Sequence, residues 1–293
     1  MSQDLITTPL APVGRERQSG NVSSVIRVFD ITELLAKHES GLTFTEIRTH
    51  LRLPKSSTSA LLHTMLTRGY LYHDDTGKYH LGIRFWEAGQ VVWRTLGIDS
   101  FVLNHLRHCA DSLLEAVQMA VLDGWENIYI AKVEPDRHLR LESNIGSRLP
   151  AHATALGKVL LAGLDPDECE SRLTRVTLER FTDRTITDKD ILRRHLQVIR
   201  QEGLGIDDGE YTTGVYCVAV PILDSKGKWI AAISFSVPKA RLEENEVTID
   251  DMQVELNRCS KELSRDVGNV LSEWCGQIIR KGSFQGYTEG DIQ

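Results

Sequence analysis

LTFTEIRTHLRLPKSSTSALLHTMLTRGYLYHDDTGKYHL, residues 42–81, is the stretch whose reading decides the fold. It opens on Thr43-Phe44-Thr45-Glu46, the form of a capping box, in which a threonine hydroxyl and a glutamate carboxylate three residues on satisfy the exposed amides of a helix start. Phe44, Ile47 and Leu51 supply one apolar stripe over about two turns, and Pro54 interrupts the pattern. A longer helix is expected over 55–68, stopped by Gly69. Tyr70-Leu71-Tyr72-His73 and Lys78-Tyr79-His80-Leu81 then flank Asp74-Asp75-Thr76-Gly77, two short aromatic strands around a turn, which predicts a β-hairpin.

Upstream, Val25, Val28, Phe29, Leu35 and Ala36 recur at helical spacing up to Gly41, so a third helix precedes the pair. Helix, short helix, turn, helix and hairpin form the layout of a winged helix-turn-helix. In the helix at 55–68, Thr58, Leu61, Leu62 and Met65 share the inner face. Ser56, Ser59, Ala60, His63 and Thr67 share the outer one, with Lys55 at the N-terminal end. A face of small hydroxyls without acidic residues enters a major groove without repelling phosphate. Lys55, Arg52 and the first helical amides are placed to hold phosphates, and Lys78 to reach the backbone from the hairpin. With Thr45 and Ser57, the set assigned to DNA is Thr45, Arg52, Lys55, Ser56, Ser57, Ser59, His63 and Lys78.

The whole-chain charge of −7 over 293 residues argues against nucleic acid, but it is unevenly distributed. Residues 1–85 carry ten Lys/Arg against eight Asp/Glu, a balance of +2, and residues 86–293 carry 24 against 33, a balance of −9. Hydrophobic residues at 41% suffice for a real core, and no apolar run approaches the roughly 18–20 residues of a membrane span. The five cysteines, Cys109, Cys169, Cys217, Cys259 and Cys275, lie far apart with no C-x-x-C pair, and no secretory pattern opens the chain; a reduced cytoplasmic protein is expected.

Residues 84–117 read as helical, with an interruption at 97–100 and a stripe of Val102, Leu106, Cys109, Ala110, Leu113 and Val117. Strands are expected at 118–123, 127–133, 138–143, 204–209, 215–223 and 229–237, and helices at 154–163, 166–174, 188–202 and 243–271. This mixture with hairpins implies an antiparallel sheet in an α+β domain. Along 215–223, Val215, Cys217 and Ala219 alternate with Tyr216, Val218 and Val220; along 229–237, Ala232, Ser234 and Ser236 alternate with Ile233, Phe235 and Val237. One sheet face is therefore bulky and meant for helices. The other is small and weakly polar, leaving room for a ligand that Cys217, Ser234 and Ser236 can hydrogen-bond, unless it simply faces solvent. The first amides of the helix at 154–163, at Ala155 and Leu156, form a natural carboxylate site.

VSSVIRVFDITELL, the stretch 42–71, GKYHLGIRFWEAG, GSRLPAHATALGKVLLA at 146–162 and GEYTTGVYCVAVPILDSKGKWIAAISFSV at 209–237 together resemble the IclR family of bacterial transcriptional regulators from about residue 22 to 270. The resemblance departs at Ser59-Ala60, where many members carry a long polar residue, so the operator sequence does not carry over. It implies a winged helix-turn-helix at 22–84 after a segment at 1–21, a linker helix at 85–104, a GAF-like effector-binding domain at 105–272 and a polar tail at 273–293. It further implies that an acid effector meets Asp207, Cys217, Ser234 and Ser236, the amides of Ala155 and Leu156, and an apolar wall of Leu141, Leu149 and Val215.

Other signals point elsewhere. Gly157-Lys158 lacks the flanking residues of a phosphate-binding loop. His105 and Cys109 have the spacing of a shared metal, or Cys109 belongs to the core stripe. Cys217 as a nucleophile finds no histidine near it in sequence. The expectation is a non-enzymatic, cofactor-free regulator, with repression the expected mode. Its partners are double-stranded operator DNA, a small organic acid and further copies of itself as dimer or tetramer, with no membrane. The alternative is a small-molecule-binding or hydrolytic domain carrying an N-terminal protein-interaction module.

Overall fold

The computed structural model describes residues 22–95, 100–135 and 144–280. Contacts divide the chain into two compact units, one up to Val92 and one from Trp93 onward.

In the first unit α1 (Ser23–Ala36), α2 (Phe44–Leu51) and α3 (Lys55–Thr67) precede a hairpin of β1 (Leu71–His73) and β2 (Tyr79–Leu81), and α4 (Ile83–Thr95) follows. The core collects the inward face of each element: Ile31 and Leu35 from α1, Ile47 from α2, Leu62 and Met65 from α3, Leu71 from β1. The capping box forms in full, with Glu46 N–H donating to Thr43 Oγ1 and Thr43 N–H to Glu46 Oε2. Asp74 builds the hairpin turn by accepting from Thr76 N–H and Lys78 N–H, and a bridge between Leu42 and Tyr79 joins the hairpin to the chain before α2.

The second unit starts with α5 (Ser100–Leu113). The apolar stripe expected to run helically to Val117 is cut short, because Leu114 takes a left-handed conformation (φ 53°) and β3 begins at Ala116. Val117 nonetheless reaches the same core from the strand. β3 (Ala116–Asp123), β4 (Glu126–Val133), β5 (Arg148–Pro150), β6 (Gly205–Asp208), β7 (Val215–Leu223) and β8 (Trp229–Pro238) form one antiparallel sheet in the order β5-β4-β3-β8-β7-β6. β5 is absent from the sequence reading, being only three residues with one proline, and the strand expected at 138–143 falls outside the described residues.

One face of this sheet carries Tyr216, Val218, Val220, Ile233, Phe235 and Val237 against α5 and α10 (Ile249–Arg280). The helix expected at 243–271 is α10, which starts only at Ile249; a separate short helix, α9 (Lys239–Glu243), precedes it, and Asn245 turns left-handed between them (φ 56°). The other face carries Ala120, Ala219 and Ala232 under α6 (Ala155–Ala162), with α7 (Pro166–Arg175) and α8 (Lys189–Glu202) completing that layer. Small residues on the sheet let α6 approach closely: a Cβ placed on Gly205 would stand 2.6 Å from Val159 Cγ2 and 2.9 Å from the Ala155 carbonyl. No described helix is long and apolar enough to cross a membrane.

Candidate functional site

Two sites arise, one in each unit. In the first, α3 turns Thr58, Leu62 and Met65 inward and leaves Lys55, Ser56, Ser59, Ala60, His63 and Thr67 exposed; Ser57 lies half-buried at the boundary. Thr64 and Thr67 spend their hydroxyls on the carbonyls of Ala60 and Thr64, so Ser56, Ser59 and His63 are the reaching side chains of this face. Pro54 occupies the N-cap position with no side-chain cap, so the first α3 amides remain available beside Lys55. Arg52 ends α2 exposed and left-handed (φ 49°), and Thr45 is exposed in the first turn of α2. The Glu46 carboxyl is held below the usual carboxylate range by its bonds to Thr43 and is folded back onto the cap. Lys78 is half-buried, its Nζ 3.4 Å from the Ser40 carbonyl, and His80 lies inward on Asp74 at 2.8 Å.

In the second unit, register brings the expected residues together. Asp207 on β6 stands opposite Cys217 on β7, Cys217 opposite Ser236 on β8, and Ser234 lies between Ala219 and Gln118. Cys217 Sγ is 3.1 Å from Ser236 Oγ, which donates to Gln118 Oε1 at 3.1 Å. The face is not solvated: Asp207, Ser234 and Ser236 are buried, and Ser234 Oγ has no hydrogen-bond partner. Above it Thr154 caps α6 by accepting from Gly157 N–H, so the N–H groups of Ala155 and Leu156 are the first-turn donors. Leu149 packs on the same layer from β5, Val215 is half-buried at the start of β7, and Leu141 lies outside the described residues.

Charge in this site is unusual. Burial pushes the Asp207 carboxyl up to about 7, reinforced by the Glu210 carboxylate, while its Oδ1 accepts from Glu210 N–H at 2.6 Å. Burial and Asp207 also push the Cys217 thiol well above its ordinary range. The bonded neighbour of Cys217 Sγ is Ser236 Oγ, and His152 is held at Nε2 by the Glu179 carbonyl, so no contact among the described residues gives the thiol a general base. His105 faces Glu262 at 3.0 Å, and Cys109 sits in the core against α10. Among the described residues no cluster of three or more metal-ligating side chains occurs.

Sequence reasoning missed four residues here. Lys158, in the second turn of α6, is buried and ion-paired with Glu210. A lone lysine in the otherwise apolar run ALGKVLLA was the available signal, since only a buried partner makes such a position tolerable. Gln118, Asn127 and Tyr129 join the small face from β3 and β4; alternation was the available signal, since Gln118 has the parity of Ala120 against Val117 and Met119, and Asn127 and Tyr129 alternate with Ile128 and Ile130.

Comparison with known proteins agrees with this layout. The family model described as IclR helix-turn-helix domain matches residues 24–75, and that described as Bacterial transcriptional regulator IclR C-terminal matches residues 90–265. The HTH-type transcriptional regulator KdgR of Escherichia coli (strain K12) is 32% identical over 88% of this chain and 98% of its own. The HTH-type transcriptional repressor AllR of Klebsiella pneumoniae is 31% identical over 82% and 87%. Among solved structures, the Thermotoga maritima IclR superposes with a TM-score of 0.69 at 28% identity, covering 84% of this chain and 98% of that one. An IclR homolog from Microbacterium hydrocarbonoxydans complexed with 4-hydroxybenzoate superposes with a TM-score of 0.73 at 26% identity, covering 84% and 99%. With both halves matched in order, the chain belongs to the IclR family: it is a DNA-binding transcriptional regulator with an effector-binding C-terminal domain, and not an enzyme.

Proposed function

We propose that this regulator is a repressor acting in the cytoplasm, whose second unit binds a small carboxylate-bearing metabolite and thereby shifts operator affinity. The observation that carries the effector class is the convergence of Asp207, Cys217, Ser234 and Ser236 on one buried sheet face beneath the first turn of α6. A helix start in a dry site offers N–H groups and a favourable dipole to an anion, and Ser234 Oγ waits for a partner. The related homolog solved with 4-hydroxybenzoate, itself a carboxylate, and the relative named as a repressor support the same reading.

The working division is a DNA-reading segment at 22–84, a linker at 85–104 and a sensor at 105–272. Thr45, Arg52, Lys55, Ser56, Ser57, Ser59, His63 and Lys78 form the DNA face, and paired copies in a dimer or tetramer read symmetric half-sites. The effector acts only through its differential affinity for two arrangements of the assembly. A mobility-shift assay on the DNA upstream of the protein's own gene, across salt and with candidate acids, tests this. Sequence-selective binding released by an acid is expected; no selective binding with or without acids overturns it.

A further inference from the structure

The turn that joins α2 to α3 carries two costs to folding, one turn apart. Arg52 closes α2 with φ 49° and ψ 39°, the left-handed region in which a Cβ is crowded and which glycine or asparagine occupies most easily. The backbone there is pinned: Arg52 N–H donates to the Arg48 and Thr49 carbonyls, and Leu53 N–H returns to the Arg48 carbonyl at 3.2 Å. The chain then enters Pro54 and α3 directly. A long side chain held in this conformation lowers stability, and such positions concentrate where function requires the residue.

The second cost is charge. Arg48 precedes Arg52 by one helical turn, about 6 Å along the axis. Both are exposed, and among the described residues neither guanidinium has a carboxylate or carbonyl partner. Like charges at this spacing repel one another. Glu46, the acid of α2, has Oε2 engaged by both the N–H and the hydroxyl of Thr43. Arg84 shows the contrast in the same unit: with an acid three residues on, it pairs with Glu87 at 2.9 Å. The dipole at the end of α2 offsets part of the repulsion and none of the backbone strain.

The neighbouring groups continue the pattern. Thr45, one turn before Arg48, is exposed and its hydroxyl has no partner among the described residues, whereas Thr49 donates its own to the Thr45 carbonyl at 2.8 Å. On the other side of the turn stand Lys55 and the first amides of α3, with no acid in that first turn.

We propose that Arg48 and Arg52 form a phosphate clamp, in which a phosphodiester of bound DNA sits between the two guanidiniums and supplies the counter-charge that the folded protein lacks. A guanidinium presents paired N–H donors to phosphate oxygens and keeps its charge, so two of them fix position without reading bases. This rests on the DNA face proposed above. It adds Arg48 to that face, and it explains why an arginine ends α2 where glycine fits the backbone better.

The test uses the full chain, with anisotropy titrations across salt on a duplex from upstream of its own gene and on a scrambled duplex, and hydrogen exchange on the free protein. Arg52→Gly should slow exchange of the α2 and α3 amides about 3-fold or more, because the strain is relieved. The same variant should weaken binding to both duplexes about 5-fold or more. Arg48→Ala should weaken both as well, and each variant should lower the salt slope by about 1 per bound copy. Arg52→Lys keeps charge and strain, so it should hold the slope near that of the wild type without slowing exchange. Faster exchange in Arg52→Gly, an unchanged slope in both charge-removing variants, or a loss confined to the upstream duplex overturns the clamp and leaves the regulator reading standing. A wild type that binds neither duplex overturns the clamp and the DNA face together.

Discussion

Lys158 on α6 and Glu210, just beyond β6, form an ion pair inside the sensor, with the lysine side chain only 1% exposed. Glu210 in turn donates its backbone N–H to Asp207 Oδ1 at 2.6 Å, and its carbonyl accepts from the Thr185 hydroxyl at 2.6 Å. The chain Lys158–Glu210–Asp207 ties α6 to β6. One ammonium and one carboxylate thus meet in a water-poor space, and Asp207 is joined to them through the Glu210 backbone.

Removing the lysine alone leaves a buried carboxylate without its counter-charge. Lys158→Met should destabilise the sensor by about 3–5 kcal/mol. The double variant Lys158→Met with Glu210→Leu should recover a large part of that loss, because no stranded charge remains. Urea denaturation followed by circular dichroism measures both; a double variant less stable than Lys158→Met would contradict the pairing.

Asp207 gives the protein a pH dependence of known sign. Its folded pKa of about 7 lies above the ordinary value of 3.8, so the folded state holds a proton that the unfolded state has released between those values. Stability from this group is complete below about pH 4 and is lost as pH rises toward 7, by up to about 1.4 kcal/mol per unit, levelling off above. The carboxylates with lowered values, such as Asp224 and Asp266, change in a window below about pH 4 and do not interfere. Between pH 5 and 8 the wild type should therefore lose stability relative to Asp207→Asn. Parallel curves for the two proteins would show that Asp207 is ionised throughout.

At the DNA face, charge and shape should separate. Lys55→Ala and Arg52→Ala should weaken binding to all sequences alike and each reduce the salt slope by about 1. Ser59→Ala and His63→Ala should alter base preference at individual operator positions with little change in that slope. A salt series on specific and scrambled duplexes distinguishes them; unchanged slopes in both charge variants would remove those residues from the phosphate contacts.

The wing depends on one glycine. Gly41 has φ +68°, and any Cβ there would run into the His80 ring, which Asp74 holds at 2.8 Å. Gly41→Ala should cost about 1–3 kcal/mol through this strain. Thr43→Ala, which removes only the cap, should cost about 1 kcal/mol. Thermal unfolding of the DNA-binding unit ranks the two, and the reverse order would refute the strain.

Local signals made much of this legible. Thr43 and Glu46 sit three residues apart, so the capping box needed no tertiary information, and the Asp74 turn and the α3 faces were equally local. On β7 and β8, alternation alone separated Cys217, Ser234 and Ser236 from Tyr216, Phe235 and Val237. A stripe at helical spacing that runs through Val117 cannot reveal that the helix stops at Leu113, where Leu114 turns left-handed and β3 begins. The local sequence around Lys158 gives no sign of its ion pair, because its partner Glu210 lies 52 residues away.

Periodicity, caps and turn residues act within a few positions of the chain, so the sequence by itself determined most of the longer elements, their inward faces and the division of charge between a +2 head and a −9 remainder, but not the three-residue β5 or the short α9. Register is a different matter. Which strands neighbour one another, where β4 takes its extra residue at Ile130, and that α6 can lie on Gly205 are settled only when the sheet closes. Backbone pairing and packing between distant segments then place Asp207 opposite Cys217, Tyr129 among alanines and Lys158 on Glu210. The sequence set out the polar groups, and burial in the folded sheet decided which of them meet.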